Sequence, residues 1–328
     1  VQAGAIEAVA STGGQFMPPM MGAAAFLMAE FLEVPYVEVV IAAFVPAVLY
    51  YFAVFVEVDL IAAKNNIAVA DAVLPKALLV LKEGWHFIIP FVVLLYALFE
   101  LALEAEQAAI WSCFAIAALG VVRVYKGERL NFVRLYEAFR DTGMVMVELI
   151  MIVAAAGMVI GVINYTTIGF AITDLLARIG EGNLFLLLGI AAFASILLGM
   201  GMPTSGIYVL LAALIVPSLI ESGVHQFAAH LFILYFGLMS MLTPPVALCA
   251  YTAAPIAGAD PIQIGLVGMR LAWTAYVVPF LFVLSPTLLL FGEPMEIVFD
   301  VVTAFIGIYV LSVAMVGYFS RPLPVVLR

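Results

Sequence analysis

Long apolar stretches separated by short polar segments make up most of this chain. A transmembrane helix needs about 20 predominantly apolar residues, so stretches of this length predict membrane helices. The predicted apolar segments are 3–32, 37–60, 86–102, 106–124, 144–164, 183–199, 204–220, 227–257, 265–291 and 297–318. The stretch 168–180 is amphipathic, which predicts a helix at the membrane interface.

The composition narrows the class of protein further. The chain has 328 residues, of which 66% are hydrophobic and only 10% are charged. A soluble domain carries about 25% charged residues, so a soluble enzyme, a disordered chain and a nucleic-acid-binding domain are excluded. The two cysteines, Cys113 and Cys249, lie inside apolar runs and form no disulfide framework or metal-binding pattern.

The distribution of basic residues predicts the orientation in the membrane. Lys and Arg cluster in the linkers 61–84 and 123–142 and in the tail after residue 320. The positive-inside rule places these segments in the cytoplasm. The turn 292–296 contains two acidic residues and no basic ones, and it is predicted to lie outside.

Two segments of the chain resemble each other. Proline pairs stand at 18–19 and 244–245, which are 226 positions apart, and Pro35 and Pro261 repeat the same offset. Each proline pair is followed by a run rich in small residues. The two segments are therefore candidates for an internal repeat.

The predicted orientation gives the two segments opposite directions. Segment 3–32 must end outside, because 37–60 leads to the basic linker 61–84, whereas segment 227–257 must end inside. Inverted repeats with interrupted helices are typical of secondary transporters, and the interruptions mark the binding site.

The helix interruptions supply polar backbone groups within the membrane. Proline removes a backbone donor and clashes with the preceding turn. Freed backbone groups are tolerated in the membrane only where they line a cavity or hold a ligand. Unwound carbonyls can bind Na⁺, and helix N-termini can hold a carboxylate. The candidate residues at these interruptions are Ser11, Thr12, Gly13, Gly14, Pro18, Pro19, Thr243, Pro244 and Pro245.

A third interruption divides the apolar region 183–220 into two arms. Its glycines permit a tight turn, and its hydroxyl residues follow the proline that can open the second arm. We predict a re-entrant hairpin whose polar tip contributes Gly199, Gly201, Pro203, Thr204 and Ser205.

Glu7 is a separate candidate for proton or cation coupling, because a carboxylate within an apolar segment is a functional candidate by default. Arg270 is predicted to snorkel at a cytoplasmic helix end.

Three motifs carry a resemblance to a known family: AIEAVASTGGQFMPPMMGAAAFLMAE, LLGMGMPTSGIYV and LMSMLTPPVALCAYTAAPIAGADP. They resemble the large membrane subunit of tripartite ATP-independent periplasmic (TRAP) transporters, in particular the fused permeases that work with TAXI-class binding proteins. By this resemblance, residues 11–19 match the first broken helix, 199–205 the second hairpin tip, and 243–245 the second broken helix. The family's first hairpin and some C-terminal helices have no match, so the chain is expected to be incomplete at both ends.

The resemblance implies an all-α polytopic membrane protein, an inverted-repeat elevator-type secondary transporter in a prokaryotic cytoplasmic membrane. It implies no enzymatic activity and no bound cofactor. The expected coupling ion is Na⁺ or H⁺, and the expected partners are a TAXI-type extracytoplasmic binding protein, a small carboxylate substrate and membrane lipid, but no nucleic acid.

The expected division of the chain has four parts. Residues 1–60 belong to the first repeat, 61–142 to connecting and scaffold helices, 143–291 to the second repeat and 292–328 to a final span and tail. The main alternative is an elevator-type carboxylate/cation symporter that needs no binding protein. A polytopic enzyme would need a catalytic cluster that the sequence does not show, and a scaffold subunit would not transport.

Overall fold

The computed structural model describes residues 1–67, 77–101, 103–124, 129–166, 178 and 183–323. Helices dominate these residues, and the prediction of an all-α polytopic membrane protein is confirmed. Within the described residues, five helices are long and apolar enough to cross a membrane: Tyr36–Lys64, Leu78–Phe99, Ala105–Val122, Pro261–Leu284 and Pro294–Val316. The third and fifth of these correspond to predicted segments 106–124 and 297–318.

The described residues form fifteen α-helices. They are α1 (Gln2–Gly13), α2 (Ala23–Leu32), α3 (Tyr36–Lys64), α4 (Ala77–Gly84), α5 (Ile88–Phe99), α6 (Ala105–Val122), α7 (Phe132–Thr166), α8 (Leu184–Gly199), α9 (Thr204–Leu214), α10 (Val216–Glu221), α11 (Gln226–Met239), α12 (Leu248–Ala257), α13 (Pro261–Leu271), α14 (Trp273–Leu284) and α15 (Pro294–Val316). Single 3₁₀ turns occur at Trp85–Phe87 and Pro286–Leu289, and Tyr318–Phe319 pairs antiparallel with Arg321–Pro322.

The chain forms two compact units. The first comprises Val1–Val34, Glu38–Ile67 and Ile152–Arg328, and the second comprises Pro35–Val37 and Ala68–Met151. Both helix interruptions and the hairpin lie in the first unit, whereas α4, α5 and α6 lie in the second.

Helix α11 forms the centre of the first unit. Every residue from 227 to 239 is buried. The sequence of this helix is apolar on all sides, which is the pattern of a helix surrounded by protein. Helices α2, α8, α9 and α14 pack around it, so the second helix interruption begins at the end of the most buried helix.

Two helix boundaries differ from the sequence prediction. Helix α7 begins at Phe132, so part of the predicted linker 123–142 is helical. Hydropathy detects only the apolar part of a helix, and the exposed ion pair between Arg140 and Asp141 lies on its polar part. The predicted span 265–291 begins earlier, at Pro261, and is interrupted at Ala272. The stretch 168–180 lies outside the described residues, apart from Arg178.

Two cations hold the C-terminal end of α15. The Lys64 Nζ donates to the Val316 carbonyl at 2.5 Å, and the Arg270 guanidinium donates to the Met315 carbonyl. The last carbonyls of a helix have no partner within the helix and carry partial negative charge, so cations stabilise them. Arg270 therefore binds a neighbouring helix end, a role that the snorkelling prediction did not include.

Candidate functional site

The two predicted helix interruptions are present and have similar construction. Helix α1 ends at Gly13 and α2 begins at Ala23, while α11 ends at Met239 and α12 begins at Leu248. Both Pro–Pro peptide bonds are cis. Each interruption is closed by a backbone hydrogen bond, from the Gly22 amide to the Gln15 carbonyl (2.8 Å) and from the Cys249 amide to the Met241 carbonyl (3.0 Å). The acceptors Gln15 and Met241 are 226 positions apart.

The two interruptions lie against each other. The Gln15 Nε2 stands 4.0 Å from the Met241 Sδ, and the rings of Phe16 and Tyr235 stack at 4.5 Å. The Thr12 hydroxyl donates to the Ala8 carbonyl (2.7 Å) and lies 3.3 Å from the Cys249 Sγ. The two interruptions therefore contact each other through residues that are 226 positions apart, the same offset as the proline pairs.

The hairpin tip packs on the second interruption. Gly199 ends α8, and a β-carbon at this position would lie 2.7 Å from the Ser240 Oγ and 3.2 Å from the Gly237 carbonyl. Gly237 in turn faces Ile207 of α9, where a β-carbon would lie 2.7 Å from Cγ2. Both arms of the hairpin thus depend on glycine for close contact with α11.

The turn at the hairpin tip contains a backbone conformation that favours glycine. Gly201 has a φ of +81°, which lies in the left-handed region. Pro203 precedes the first residue of α9, and no side chain caps this helix. The first amides of α9 are consequently available to a ligand beside Thr204 and Ser205.

Hydroxyl groups are concentrated at the second interruption. The Thr243 Oγ1 donates to the Met239 carbonyl (2.7 Å) and lies 3.0 Å from the Tyr276 hydroxyl. The Ser240 Oγ donates to the Gly237 carbonyl at 2.6 Å. These groups supply neutral oxygen atoms next to the unwound backbone.

The predicted site residues differ in their exposure. Four are buried: Thr12, Gly13, Gly199 and Ser205. Five are half-buried: Pro18, Pro19, Thr204, Thr243 and Pro244. Six are exposed on the surface of the chain: Glu7, Ser11, Gly14, Gly201, Pro203 and Pro245.

Glu7 and Ser11 form a separate pair. The Ser11 hydroxyl donates to the Glu7 carboxylate at 3.0 Å, one helical turn away. Among the described contacts, none joins this pair to the hairpin or to the second interruption. The structure therefore brings Thr12, Gly13, Gly199 and Thr243 into the packed part of the site but leaves Glu7 and Ser11 at its surface.

Sequence reasoning missed the tyrosines that support the interruptions. The Tyr50 hydroxyl donates to the Val9 carbonyl and the Tyr51 hydroxyl to the Ala10 carbonyl, both at 2.8 Å. A β-carbon on Gly13 would lie 2.5 Å from the Tyr50 ring and 3.0 Å from that of Tyr51. The sequence did carry a signal, because Tyr50 and Tyr276 repeat the 226-residue offset of the proline pairs.

The described residues contain no group of three or more His, Cys, Asp or Glu side chains that could hold a metal ion. The cation ligands that the site offers are hydroxyl and carbonyl oxygens instead.

Comparison with known proteins identifies the family. A family model for the DctM component of tripartite ATP-independent periplasmic transporters matches residues 1–297. No curated protein matches the chain. The match includes both interruptions and the hairpin and ends in the first turn of α15. The chain therefore belongs to the DctM family, the large membrane component of TRAP transporters.

Proposed function

We propose that this permease component takes up a small carboxylate, driven by a cation gradient, with Na⁺ as the coupling ion. An extracytoplasmic binding protein of the TAXI class would deliver the substrate. The observation that carries the proposal is the convergence of the hairpin tip and the two interruptions, through the contacts of Gly199 with Ser240 and of Gln15 with Met241.

The chemistry of the convergent groups favours Na⁺. The oxygens at the second interruption and hairpin tip come from Ser205, Thr204, Thr243 and the unwound backbone, and all of them are neutral. Hard cations prefer oxygen ligands, and unwound carbonyls coordinate Na⁺ in broken-helix transporters. Glu7, the candidate for proton coupling, is exposed and apart from these groups, which makes H⁺ the second choice.

The hairpin favours an anionic substrate. Helix α9 begins without a side-chain cap, and the amides of its first turn carry partial positive charge. A carboxylate can accept hydrogen bonds from such amides. A bound Na⁺ nearby would balance the charge of the substrate, which gives a physical basis for coupled binding of the two ligands.

We also propose an elevator-type movement, in which the groups that form the site move together as one body. Both interruptions and the hairpin belong to the first compact unit, so they can move together, while α4, α5 and α6 belong to the second. In the proposed orientation, segments 61–84 and 123–142 and the C-terminal tail face the cytoplasm of a prokaryotic cell.

The test is uptake into proteoliposomes that contain the complete permease. Uptake of a panel of carboxylates would be measured with and without the cognate binding protein and a Na⁺ gradient. Ser205→Ala removes a buried hydroxyl at the hairpin tip, and Ser222→Ala removes an exposed one outside the site as the matched control.

Uptake that needs both the binding protein and Na⁺, and that falls in Ser205→Ala but not in Ser222→Ala, would support the proposal. Uptake without the binding protein would favour a symporter that works alone. Uptake that persists without Na⁺ but disappears when the proton gradient is collapsed would replace Na⁺ by H⁺.

A further inference from the structure

A buried hydrogen bond joins the second arm of the hairpin to the central helix of the first unit. The Tyr208 hydroxyl of α9 lies 2.6 Å from the His230 Nδ1 of α11, and the tautomer of the imidazole decides which group donates. Tyr208 is fully buried and His230 is 5% exposed. Both helices are described throughout, and this is the one hydrogen bond between their described residues. Because water is excluded from the pair, breaking the bond leaves polar groups unsatisfied.

The hydrogen bond adds direction to a close packing contact. Ile207 packs against Gly237, where a β-carbon would lie 2.7 Å from the Ile207 Cγ2. Apolar contacts are non-directional, so they hold α9 close to α11 but leave it free to rotate about its axis. A hydrogen bond depends on the directions of its donor and acceptor. The bond between Tyr208 and His230 therefore fixes the rotation of α9 against α11.

A third helix packs on this pair. The Phe31 ring of α2 lies edge-on to the Tyr208 ring, with centroids 5.9 Å apart, and its centroid is 6.4 Å from that of the His230 ring. Helix α2 follows the first interruption, α9 follows the hairpin tip, and α11 leads into the second interruption. Phe31, Tyr208 and His230 thus connect helices from all three parts of the proposed site.

The pair is close enough to the hairpin tip to control its orientation. Tyr208 follows Ser205 by three residues and Thr204 by four, and residues at these spacings share one face of a helix. Ser205 and Tyr208 are both buried. A rotation of α9 at Tyr208 would therefore turn Ser205 and the first amides of the helix through the same angle.

We propose that Tyr208 and His230 are positioning residues of the transport site. Their hydrogen bond holds Ser205 and the first amides of α9 in the orientation that binds the substrate carboxylate, and both residues act through α9. The inference rests on the proposed function, because it requires the hairpin tip to bind the substrate. Without the bond, the tip adopts the binding orientation for a smaller fraction of the time, and the apparent affinity falls with that fraction.

The experiment measures the Kd of the complete, purified permease for a carboxylate at saturating Na⁺, together with thermal unfolding. The probe is the radiolabelled member of the carboxylate panel that the wild type takes up fastest. Tyr208→Phe removes the hydroxyl and keeps the ring. His230→Leu removes the imidazole, whereas His230→Asn keeps a hydrogen-bonding group near the position of Nδ1.

Two further variants separate positioning from stability. Tyr309→Phe is the matched control, since it makes the same substitution in α15, away from the hairpin. Trp273→Phe removes the buried donor to Glu57 and is expected to lower the midpoint of thermal unfolding without a change in Kd.

We expect Tyr208→Phe and His230→Leu each to raise the Kd by up to about fivefold, which corresponds to one hydrogen bond of about 1 kcal/mol. His230→Asn should recover part of the affinity. The double variant Tyr208→Phe/His230→Leu should bind no more weakly than the weaker single variant, because both changes remove the same bond.

An unchanged Kd in Tyr208→Phe, additive losses in the double variant, or an equal loss in Trp273→Phe would overturn the inference and leave the proposed function standing. If the wild type took up no carboxylate of the panel, the proposed function would fail and this inference with it.

Discussion

Tyr50 and Tyr276 lie 226 positions apart, the offset that relates the two proline pairs, but their hydroxyl groups contact different parts of the two interruptions. The Tyr50 hydroxyl donates to the Val9 carbonyl within α1, whereas the Tyr276 hydroxyl lies 3.0 Å from the Thr243 hydroxyl beside the second proline pair. The two interruptions are thus similar in backbone but differ in polar contacts. At the second interruption, Tyr276 pairs with the side-chain hydroxyl of Thr243, whereas at the first, Tyr50 donates to a backbone carbonyl, that of Val9.

This difference predicts separate effects for two identical substitutions. Tyr276→Phe removes a partner of Thr243 next to the proposed cation ligands, so we expect the Na⁺ concentration for half-maximal uptake to rise roughly fivefold, equivalent to about 1 kcal/mol. Tyr50→Phe removes a support of α1, so we expect a lower midpoint of thermal unfolding and little change in Na⁺ dependence. Uptake titrated with Na⁺ and thermal unfolding in detergent measure the two effects. Equal shifts in Na⁺ dependence would contradict the assignment of Thr243 to the site.

The contact between Gly199 and Ser240 predicts that the hairpin tolerates no larger residue at its tip. In Gly199→Ala the new β-carbon would lie 2.7 Å from the Ser240 Oγ and 3.1 Å from its Cβ. We expect a loss of about 1–3 kcal/mol in stability from overpacking. Gly189→Ala is the matched control, since this position is in the same helix and has no neighbour within 4 Å. It should be neutral or stabilising.

A double mutant tests the cause of the loss. Ser240→Gly removes both atoms that the new β-carbon would meet first, so Gly199→Ala should cost less in the Ser240→Gly background than in the wild type. Additive costs in the double mutant would mean that the loss does not come from this contact. Thermal unfolding of the four proteins measures the coupling.

The helix interruptions could be predicted from sequence because their causes are local. Pro18, Pro244 and Gly201 restrict or free their own backbone whatever surrounds them. The partners of the site could not be predicted, because they depend on packing between distant segments. Nothing local marks Ser240 as the neighbour of Gly199, or Ala272 as the point where the predicted span 265–291 is interrupted.

Buried polar pairs show the same limit. The Tyr208 hydroxyl lies 2.6 Å from the His230 Nδ1 between α9 and α11, and both side chains are buried. Each residue alone looks like an ordinary member of an apolar helix. The 226-residue offset is a long-range signal in the sequence, and it relates Tyr50 to Tyr276 but gives no information about contacts outside the two similar segments.

The buried hydrogen bond between Trp273 and Glu57 predicts a measurable loss of stability when its donor is removed. The Trp273 Nε1 donates to the Glu57 carboxylate, and the two residues are 9% and 1% exposed, respectively. Trp273→Phe removes this donor and leaves the carboxylate buried, so we expect a loss of about 1–3 kcal/mol. Glu57→Gln keeps an acceptor and should unfold close to the wild type.

The control for this pair is Asp59→Asn, which changes an exposed carboxylate on the same helix. It should have no effect on thermal unfolding. If Trp273→Phe were as stable as Asp59→Asn, the hydrogen bond to Glu57 would contribute nothing, and the position of Trp273 would be explained by apolar packing alone.

His225 predicts a pH dependence of stability. Its ring packs against Phe291 with centroids 4.7 Å apart, and its Nδ1 is buried without a hydrogen-bond partner among the described residues. Burial lowers the pKa of the His225 imidazole in the folded protein. Below its ordinary pKa the unfolded chain therefore binds more protons than the folded one, so stability falls as the pH decreases from about 7 toward 5 and recovers as it rises. His225→Phe should remove this contribution, and thermal unfolding at a series of pH values measures it. The control is His225→Ala, which cannot titrate, supplies no cap to α11 and loses the ring packing, so it should be less stable than His225→Phe and equally free of this pH contribution. An unchanged slope in both variants would assign the pH dependence to other groups.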